Sequence, residues 1–210
     1  REVLVVAEEI GHVVGVVALH PSLAFGKSNY DMLADFSCRR PDDYLWTHDI
    51  NDEETYAWLS QRKTDVLIQC GWSQIFKPEV IKIPSKYCMG IHPSPLPEGR
   101  GAAVINWKII EGGGEWGNSL FVMEPKTDQG PILDFEPFIL EARDDAYTAY
   151  LKVSRTAEKM LRRTLPRIAD GSIVPTIQDH TQSTRYYKRR PEDGLMHVDW
   201  PAEKILNYVR

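Results

Sequence analysis

Residues 88–101 read CMGIHPSPLPEGRG, and this stretch decides the expected fold because a short apolar run in it ends at a histidine, His92. Prolines after the histidine stiffen the exit from that run by fixing φ. The glycines that follow allow the backbone to approach a neighbouring group closely. The pattern predicts a strand that delivers one imidazole to the edge of a sheet, followed by an ordered loop.

The segments on either side predict alternating strands and helices. Residues 65–70 indicate a buried strand, nearly continuous in apolar residues, as parallel strands covered on both faces are. Further strands are expected at 13–19, 87–91, 118–123 and 132–140, and helices at 1–10, 51–62, 78–83, 102–111, 201–209 and from a cap at Asp144 or Asp145 to residue 169. This order predicts an α/β domain with a mainly parallel sheet. Ligands of such sheets bind beyond the carboxyl ends of the strands, where His92 is expected.

Composition excludes several classes of function. The chain has 210 residues, 42 % of them apolar and 26 % charged, which is typical of a globular protein. No apolar run is long enough to span a bilayer, so we expect no membrane contact and a cytoplasmic location. The net charge of −5 gives no electrostatic footprint for nucleic acid. Three cysteines without CxxC spacing indicate reduced thiols, and no histidine cluster has metal-ligand spacing.

His92 and Asp128 are the candidates for chemistry on the residues alone. An imidazole at a strand end can move a proton near neutral pH, and Asp128, in a turn with Gly130 and Pro131, is the candidate to orient it. The alternatives stay open. The position of His92 is equally well explained by a hydrogen bond to a backbone carbonyl. For Asp128, a turn residue that bonds its own backbone is the favoured explanation on sequence alone. The basic run 188–190 is expected to be a solvated surface.

The stretch HPSPLPEGRG, residues 92–101, resembles the N-x-H-x-S-L-L-P-x-x-R-G motif of folate-dependent formyltransferases. DQGPI at 128–132 resembles their D-x-G-x-I segment, and the likeness covers nearly the whole chain. It is strongest to the enzymes that N-formylate amino sugars on nucleotides and to methionyl-tRNA formyltransferase. The resemblance implies a Rossmann-like catalytic domain over 1–171, whose first strand would precede Arg1. Residues 172–210 would then form a short C-terminal extension, as a linker and the start of a C-terminal region.

The resemblance also implies the chemistry. The donor would be 10-formyltetrahydrofolate, with no metal. His92 would handle a proton and help to stabilise the tetrahedral oxyanion, while Asp128 would orient the imidazole and favour its protonated form. Arg100 and Gly101 would contact the substrate. The residues expected around the folate are Trp72, Gln74, Ile75, Ser94, Pro95, Leu96, Pro97, Glu124, Pro125, Lys126 and Thr127.

Gly90 departs from the family pattern. The family has asparagine two residues before the histidine, where its amide bonds the formyl oxygen, and glycine has no side chain to donate. Loss of one oxyanion donor typically costs on the order of 100- to 1000-fold in turnover. Three interpretations follow: the donor comes from water, Asn106 or Asn118; the enzyme is slow or uses an unusual acceptor; or the protein binds folate or a sugar nucleotide without catalysis.

The leading hypothesis is formyl transfer to the primary amine of a small acceptor, a nucleotide-linked amino sugar. Methionyl-tRNA formyltransferase is the alternative, although it needs a basic surface and residues 20–37 carry a single lysine, Lys27. Glycinamide ribonucleotide formyltransferase fits less well, because such enzymes usually lack the segment 189–210. A formyl-folate hydrolase would use the same histidine and aspartate with water as acceptor. The last segments are compatible with a homodimer.

Overall fold

The structure is a computed structural model that describes residues 1–26 and 30–210; Lys27 lies outside the described residues. The helices are α1 (Glu2–Ile10), α2 (Ala34–Arg39), α3 (Glu53–Gln61), α4 (Pro78–Ile81), α5 (Val104–Ile110), α6 (Ala146–Ala169) and α7 (Ala202–Val209). The strands are β1 (Val16–Leu19), β2 (Tyr44–Thr47), β3 (Val66–Gln69), β4 (Tyr87–His92), β5 (Arg100–Gly101), β6 (Gly114–Val122), β7 (Ile132–Leu140) and β8 (Arg185–Tyr186).

Most of these elements fall where the sequence predicts them. Their starts are set by local signals: the Asp52 carboxylate caps α3 by accepting from the amide of Thr55, and Asp145 caps α6 through Thr148. The sequence prediction missed β2 entirely. This strand has four residues and follows a proline, and its pairing with β1, more than twenty residues earlier, defines it.

The strands form three groups. β1 pairs with β2 in parallel, and β5 pairs with β8 in parallel. The main sheet has the order β3-β4-β6-β7, in which β3 and β4 are parallel and the other two pairs are antiparallel. The α/β class and the prevalence of parallel pairing are therefore confirmed. Two antiparallel pairs arise because β6 and β7 form a hairpin on the edge of the parallel pair.

The main sheet buries a core on each face, and strand alternation divides β4 between them. Met89 packs with α1 and α6 in one core, whose buried members are Val6, Met89, Leu120, Leu133, Met160, Leu161, Ile168 and Ile173. Cys88 packs on the other face against Leu59 of α3 and Val80 of α4. Gly90 and His92 share the parity of Cys88, so both side-chain positions lie on the α3–α4 face.

The chain after α6 returns to the main body. Thr176 bridges to Ile132 at the start of β7, and β8 pairs with β5 directly behind the proline-rich loop. The domain boundary at residue 171 stays a prediction. Along 1–26 and 30–210, we find no helix that is both long enough and apolar enough to cross a membrane.

Candidate active site

His92 is the last residue of β4, and its ring orientation follows from one hydrogen bond. The residue is 7 % exposed, and its Nε2 lies 2.8 Å from the carbonyl oxygen of Gly99. Because a carbonyl oxygen only accepts, Nε2 must carry a proton in this contact. Nδ1 is then the basic nitrogen of the neutral ring, and it faces the Asp128 carboxylate, with Oδ1 3.8 Å away.

Gly99 can present its carbonyl in this way because it has no side chain. Its φ is +69°, and a Cβ there would lie 3.0 Å from both Ser94 Cβ and Trp116 Cζ2. Its amide donates to Thr184 Oγ1 at 2.8 Å, so both the N–H and the carbonyl oxygen of Gly99 are hydrogen-bonded. Glycine at position 99 is thus required by close packing as well as by a left-handed backbone.

Asp128 also has a left-handed backbone, with φ at +61°, and its side chain is 8 % exposed. Its Oδ2 accepts the backbone amide of Gly101 at 2.8 Å. Gly101 stands at φ +104°, where a Cβ would lie 2.0 Å from the carbonyl oxygen of Tyr186. The motif loop, the Asp128 turn and β8 therefore meet at one point, and the carboxylate is fixed facing His92.

Gln178 ties the Asp128 turn to the motif, and sequence reasoning did not identify it. Its Nε2 donates to the carbonyls of Asp128 at 3.1 Å and Gly130 at 2.6 Å. Its Oε1 accepts from Nη2 of Arg100 at 2.5 Å. Only its position in a polar, irregular segment was visible in the sequence, and that position carries no signal of such a role.

Arg100, predicted to contact substrate, has its guanidinium in the interior and is 5 % exposed. It also donates to His180 Nδ1 at 2.7 Å, which requires that nitrogen to be unprotonated. Burial lowers the pKa of Arg100, while the nearby Asp128 carboxylate acts in the opposite direction. Its Nε is buried without a hydrogen-bond partner among the described residues. Contact between Arg100 and substrate stays a prediction.

The proline-rich loop is held rigidly by β6. Trp116 Nε1 donates to the carbonyl of Pro93 at 2.7 Å, and Ser119 Oγ donates to the carbonyl of Ser94 at 2.7 Å. The amide of Leu96 donates back to Ser119 Oγ at 3.1 Å. These bonds make the loop a fixed support behind His92.

One large cleft runs past His92 and Asp128. Of the residues predicted to bind folate or substrate, the cleft is lined by Trp72, Gln74, Ile75, Gly101, Glu124 and Thr127. The predicted residues that do not line it are Ser94, Pro95, Leu96, Pro97, Arg100, Pro125 and Lys126. The Gln74 carboxamide shapes the rim, since it accepts from Trp72 Nε1 at 2.9 Å and donates to the carbonyl of His48 at 2.7 Å.

The cleft is also lined by basic and aromatic residues that no local sequence pattern placed there. Arg185, Tyr187, Lys188 and Arg189 line it, and we call these four residues the basic wall. Trp107 anchors the wall, because its Nε1 donates to the carbonyl of Tyr187 at 2.9 Å and the two rings lie 4.8 Å apart. The run 188–190, expected to be plain surface, thus contributes residues to the cleft.

The two asparagines considered as oxyanion donors lie in different surroundings. Asn118 is fully buried and donates to the carbonyl of Val153 and to Thr156 Oγ1, both on α6 and both at 3.1 Å. Its amide therefore faces away from the His92 side of the sheet. Asn106, on α5, lines the cleft.

The family model described as formyl transferase matches residues 7–165, more than half of the chain. The chain therefore belongs to the formyl transferase family, which confirms the resemblance read from the His92 motif. It is 32 % identical over 162 residues to the methionyl-tRNA formyltransferase of Caldanaerobacter subterraneus subsp. tengcongensis, covering 76 % of this chain and 52 % of that protein. The chain thus spans about half the length of the methionyl-tRNA formyltransferases it matches.

Solved structures share the fold. WlaRD, described as a sugar 3N-formyl transferase in the presence of dTDP and 5-N-formyl-THF, has a TM-score of 0.74 at 17 % identity, covering 100 % of this chain and 73 % of that one. HypX from Aquifex aeolicus, in complex with tetrahydrofolic acid, has a TM-score of 0.72 at 17 % identity, covering 94 % and 34 %. At these identities the likeness shows the fold.

Proposed function

We propose that this chain transfers a formyl group from 10-formyltetrahydrofolate to the primary amine of a small acceptor. The observation that carries the proposal is the pair His92–Asp128, with Nδ1 facing a carboxylate at 3.8 Å in a cleft at the end of β4. A chain of the formyl transferase family with this pair has the groups that acyl transfer to an amine requires.

The mechanism follows from the ring orientation. The acceptor amine attacks the formyl carbon, and the C=O electron pair moves onto oxygen. His92 Nδ1 takes the proton that the amine nitrogen loses, since Nε2 is already engaged with Gly99. The resulting imidazolium is stabilised by the Asp128 carboxylate, whose other oxygen is held by the amide of Gly101. The proton then passes to N10 as the C–N10 bond breaks, which yields tetrahydrofolate and the N-formyl product.

The cleft has the chemistry that a folate needs. On the His92 side of the sheet its apolar surface includes Phe121 and Met123, which suit the flat pterin ring. Polar groups at Glu124 and Thr127 lie beside them and would bond the ring's amino and amide groups. The Trp72–Ile75 loop would close the other side of the ring.

For the acceptor, we favour a nucleotide-linked amino sugar. The basic wall offers Arg185, Lys188 and Arg189 for a diphosphate, together with the ring of Tyr187 for a base or sugar. The wall includes and follows β8, which pairs with β5 beside the Asp128 carboxylate, so an acceptor held there by its phosphates would place its amine near the imidazole. The solved sugar 3N-formyl transferase with dTDP provides a fold-level precedent.

Methionyl-tRNA is the second candidate acceptor, favoured by curated relatives that are 30 to 32 % identical. The net charge of −5 opposes it, because a tRNA surface needs neutralising cations.

The test is a panel of acceptors assayed with 10-formyltetrahydrofolate: dTDP-, UDP- and GDP-linked amino sugars, and methionyl-tRNA. We expect formylation of at least one amino sugar and none of the tRNA, with His92→Ala binding folate but not turning over. Transfer only to methionyl-tRNA would replace the acceptor assignment. Release of formate without any amine product would replace transfer by hydrolysis.

A further inference from the structure

The space beside Gly90 is occupied by two other side chains. Gly90 is not among the residues with positive φ, so its backbone does not require glycine. A Cβ built on it would lie 2.9 Å from Phe121 Cε1 and 3.4 Å from the side-chain oxygen of Gln69. Position 90 is therefore glycine because the Phe121 ring fills the volume that a side chain would take, and the Gln69 carboxamide lies beside it within van der Waals contact.

Gln69 stands on the same face of the sheet as His92. It ends β3, where it pairs in parallel register with Gly90 of β4. Register partners project to the same face, and so do residues two apart on one strand, which places Gln69, Gly90 and His92 on the α3–α4 side. Gln69 and His92 both line the cleft, and β3 and β4 are direct neighbours in the sheet.

The Gln69 carboxamide is anchored and still has a donor to offer. Its Nε2 donates to the carbonyl of Trp72 at 3.0 Å, in the turn directly after β3. A carboxamide nitrogen carries two hydrogens, so this bond engages one and leaves the second. The anchoring bond also limits the rotamers that the side chain samples, which lowers the cost of presenting the second hydrogen to a ligand.

Formyl transfer develops negative charge on the formyl oxygen, and a preorganised N–H donor at that oxygen contributes strongly to the rate of such reactions. We propose that Gln69 is a catalytic residue that supplies this donor from β3, in the absence of a side chain at position 90. This inference rests on the proposed function. As the amine nitrogen bonds to the formyl carbon, Gln69 Nε2–H donates to the oxyanion and His92 takes the amine proton. The C=O bond re-forms as the C–N10 bond breaks.

The kinetic test uses Gln69→Leu, which keeps the volume and removes the amide, with Gln61→Leu at the exposed end of α3 as the matched control. With the acceptor that the panel identifies, kcat should fall on the order of 100-fold in Gln69→Leu and stay at the wild-type value in the control. The KM for the donor should change by about threefold or less, since the bond strengthens in the transition state. An unchanged kcat in a folded Gln69→Leu variant overturns the inference.

A second measurement does not depend on the acceptor. The infrared carbonyl stretch of ¹³C-formyl-labelled 10-formyl-5,8-dideazafolate, bound to the protein, should move to higher wavenumber in Gln69→Leu because the oxygen loses a hydrogen bond. An unshifted band overturns the role of Gln69 even if transfer is demonstrated. A shifted band supports it even if no acceptor of the panel reacts, in which case only the proposed acceptor class fails. No binding of the labelled donor overturns both proposals.

Discussion

His92 Nδ1 and Asp128 Oδ1 face each other across 3.8 Å, while the second oxygen of the carboxylate accepts the amide of Gly101 at 2.8 Å. The carboxylate is thereby fixed by the backbone of the stretch 92–101, which also contains His92. Once the imidazole is protonated, the pair at this distance interacts through charge more than through a direct hydrogen bond. The consequence is that removal of the charge and removal of the side chain should have separable effects.

Asp128→Asn should lower kcat on the order of 100- to 10,000-fold, because the amide can still accept from Gly101 but no longer stabilises the imidazolium. Its melting temperature should stay near the wild-type value, whereas Asp128→Ala should lose the Gly101 bond and melt earlier. Steady-state kinetics and thermal unfolding of both variants measure this. A kcat for Asp128→Asn within about twofold of wild type would exclude the charge from the mechanism.

Gly90→Asn should not raise turnover. The new Cβ would lie 2.9 Å from Phe121 Cε1, so the ring must move and the core is overpacked. We expect a loss of about 1–3 kcal/mol in the free energy of unfolding, together with a kcat at or below the wild-type value. Urea unfolding and kinetics measure the two quantities. A large gain in kcat would mean that position 90, and not β3, is where the donor belongs.

Gln178→Leu should loosen the Asp128 turn. The variant leaves the carbonyls of Asp128 and Gly130 and the Arg100 guanidinium without their buried partner. The free energy of unfolding should fall by about 1.5–3 kcal/mol, and kcat should fall with it. Gln182→Leu, at an exposed position nearby, is the control and should change neither. Wild-type stability in Gln178→Leu would show that the Asp128 turn keeps its conformation without the Gln178 hydrogen bonds.

Stability should depend on pH through Glu136 of β7. Hydrogen bonds from Arg163 and Lys159, at 2.7 and 3.0 Å, lower the pKa of Glu136 below its ordinary value of 4.5. A carboxylate with a depressed pKa in the folded state stabilises the fold above its ordinary pKa, and the contribution is lost as pH falls through the folded value. Glu136→Gln should therefore be less stable than wild type at neutral pH and approach the wild-type stability at an acidic pH well below 4.5 in urea unfolding. Equal differences at both pH values would contradict this assignment.

The fold and the His92–Asp128 pair could be predicted from the sequence, whereas much of the rest of the site could not. His92 could be predicted because an apolar strand and a stiff loop are local patterns, and β4 ends at that residue. Asp128 was a candidate because of its turn with Gly130 and Pro131, and the resemblance implied its role beside His92. Gln178 could not be predicted, since its bond to the Asp128 carbonyl joins residues 50 positions apart and nothing in an irregular segment marks it.

The position of Gln69 in the site could not be predicted from the sequence, for another reason. Read along the chain, it is one polar residue at the end of an apolar strand, and its position beside Gly90 appears only when β3 is set in register with β4. The same holds for β2, whose four residues become a strand through β1. Cross-strand register is a tertiary property, so the sequence alone offered only Asn106 and Asn118 as candidate side-chain donors.

In the proposed mechanism, His92 is required for formyl transfer to an amine. Following an isotope label from donor to acceptor tests this requirement most directly. Wild type, His92→Ala and the control His197→Ala, at an exposed position, are each mixed with ¹³C-formyl-labelled 10-formyltetrahydrofolate and the acceptor panel, and products are read by mass spectrometry. The label should appear on the amine of an amino sugar with wild type and control, and not with His92→Ala. Equal labelling by His92→Ala, or label recovered only as formate from wild type, would contradict the claim.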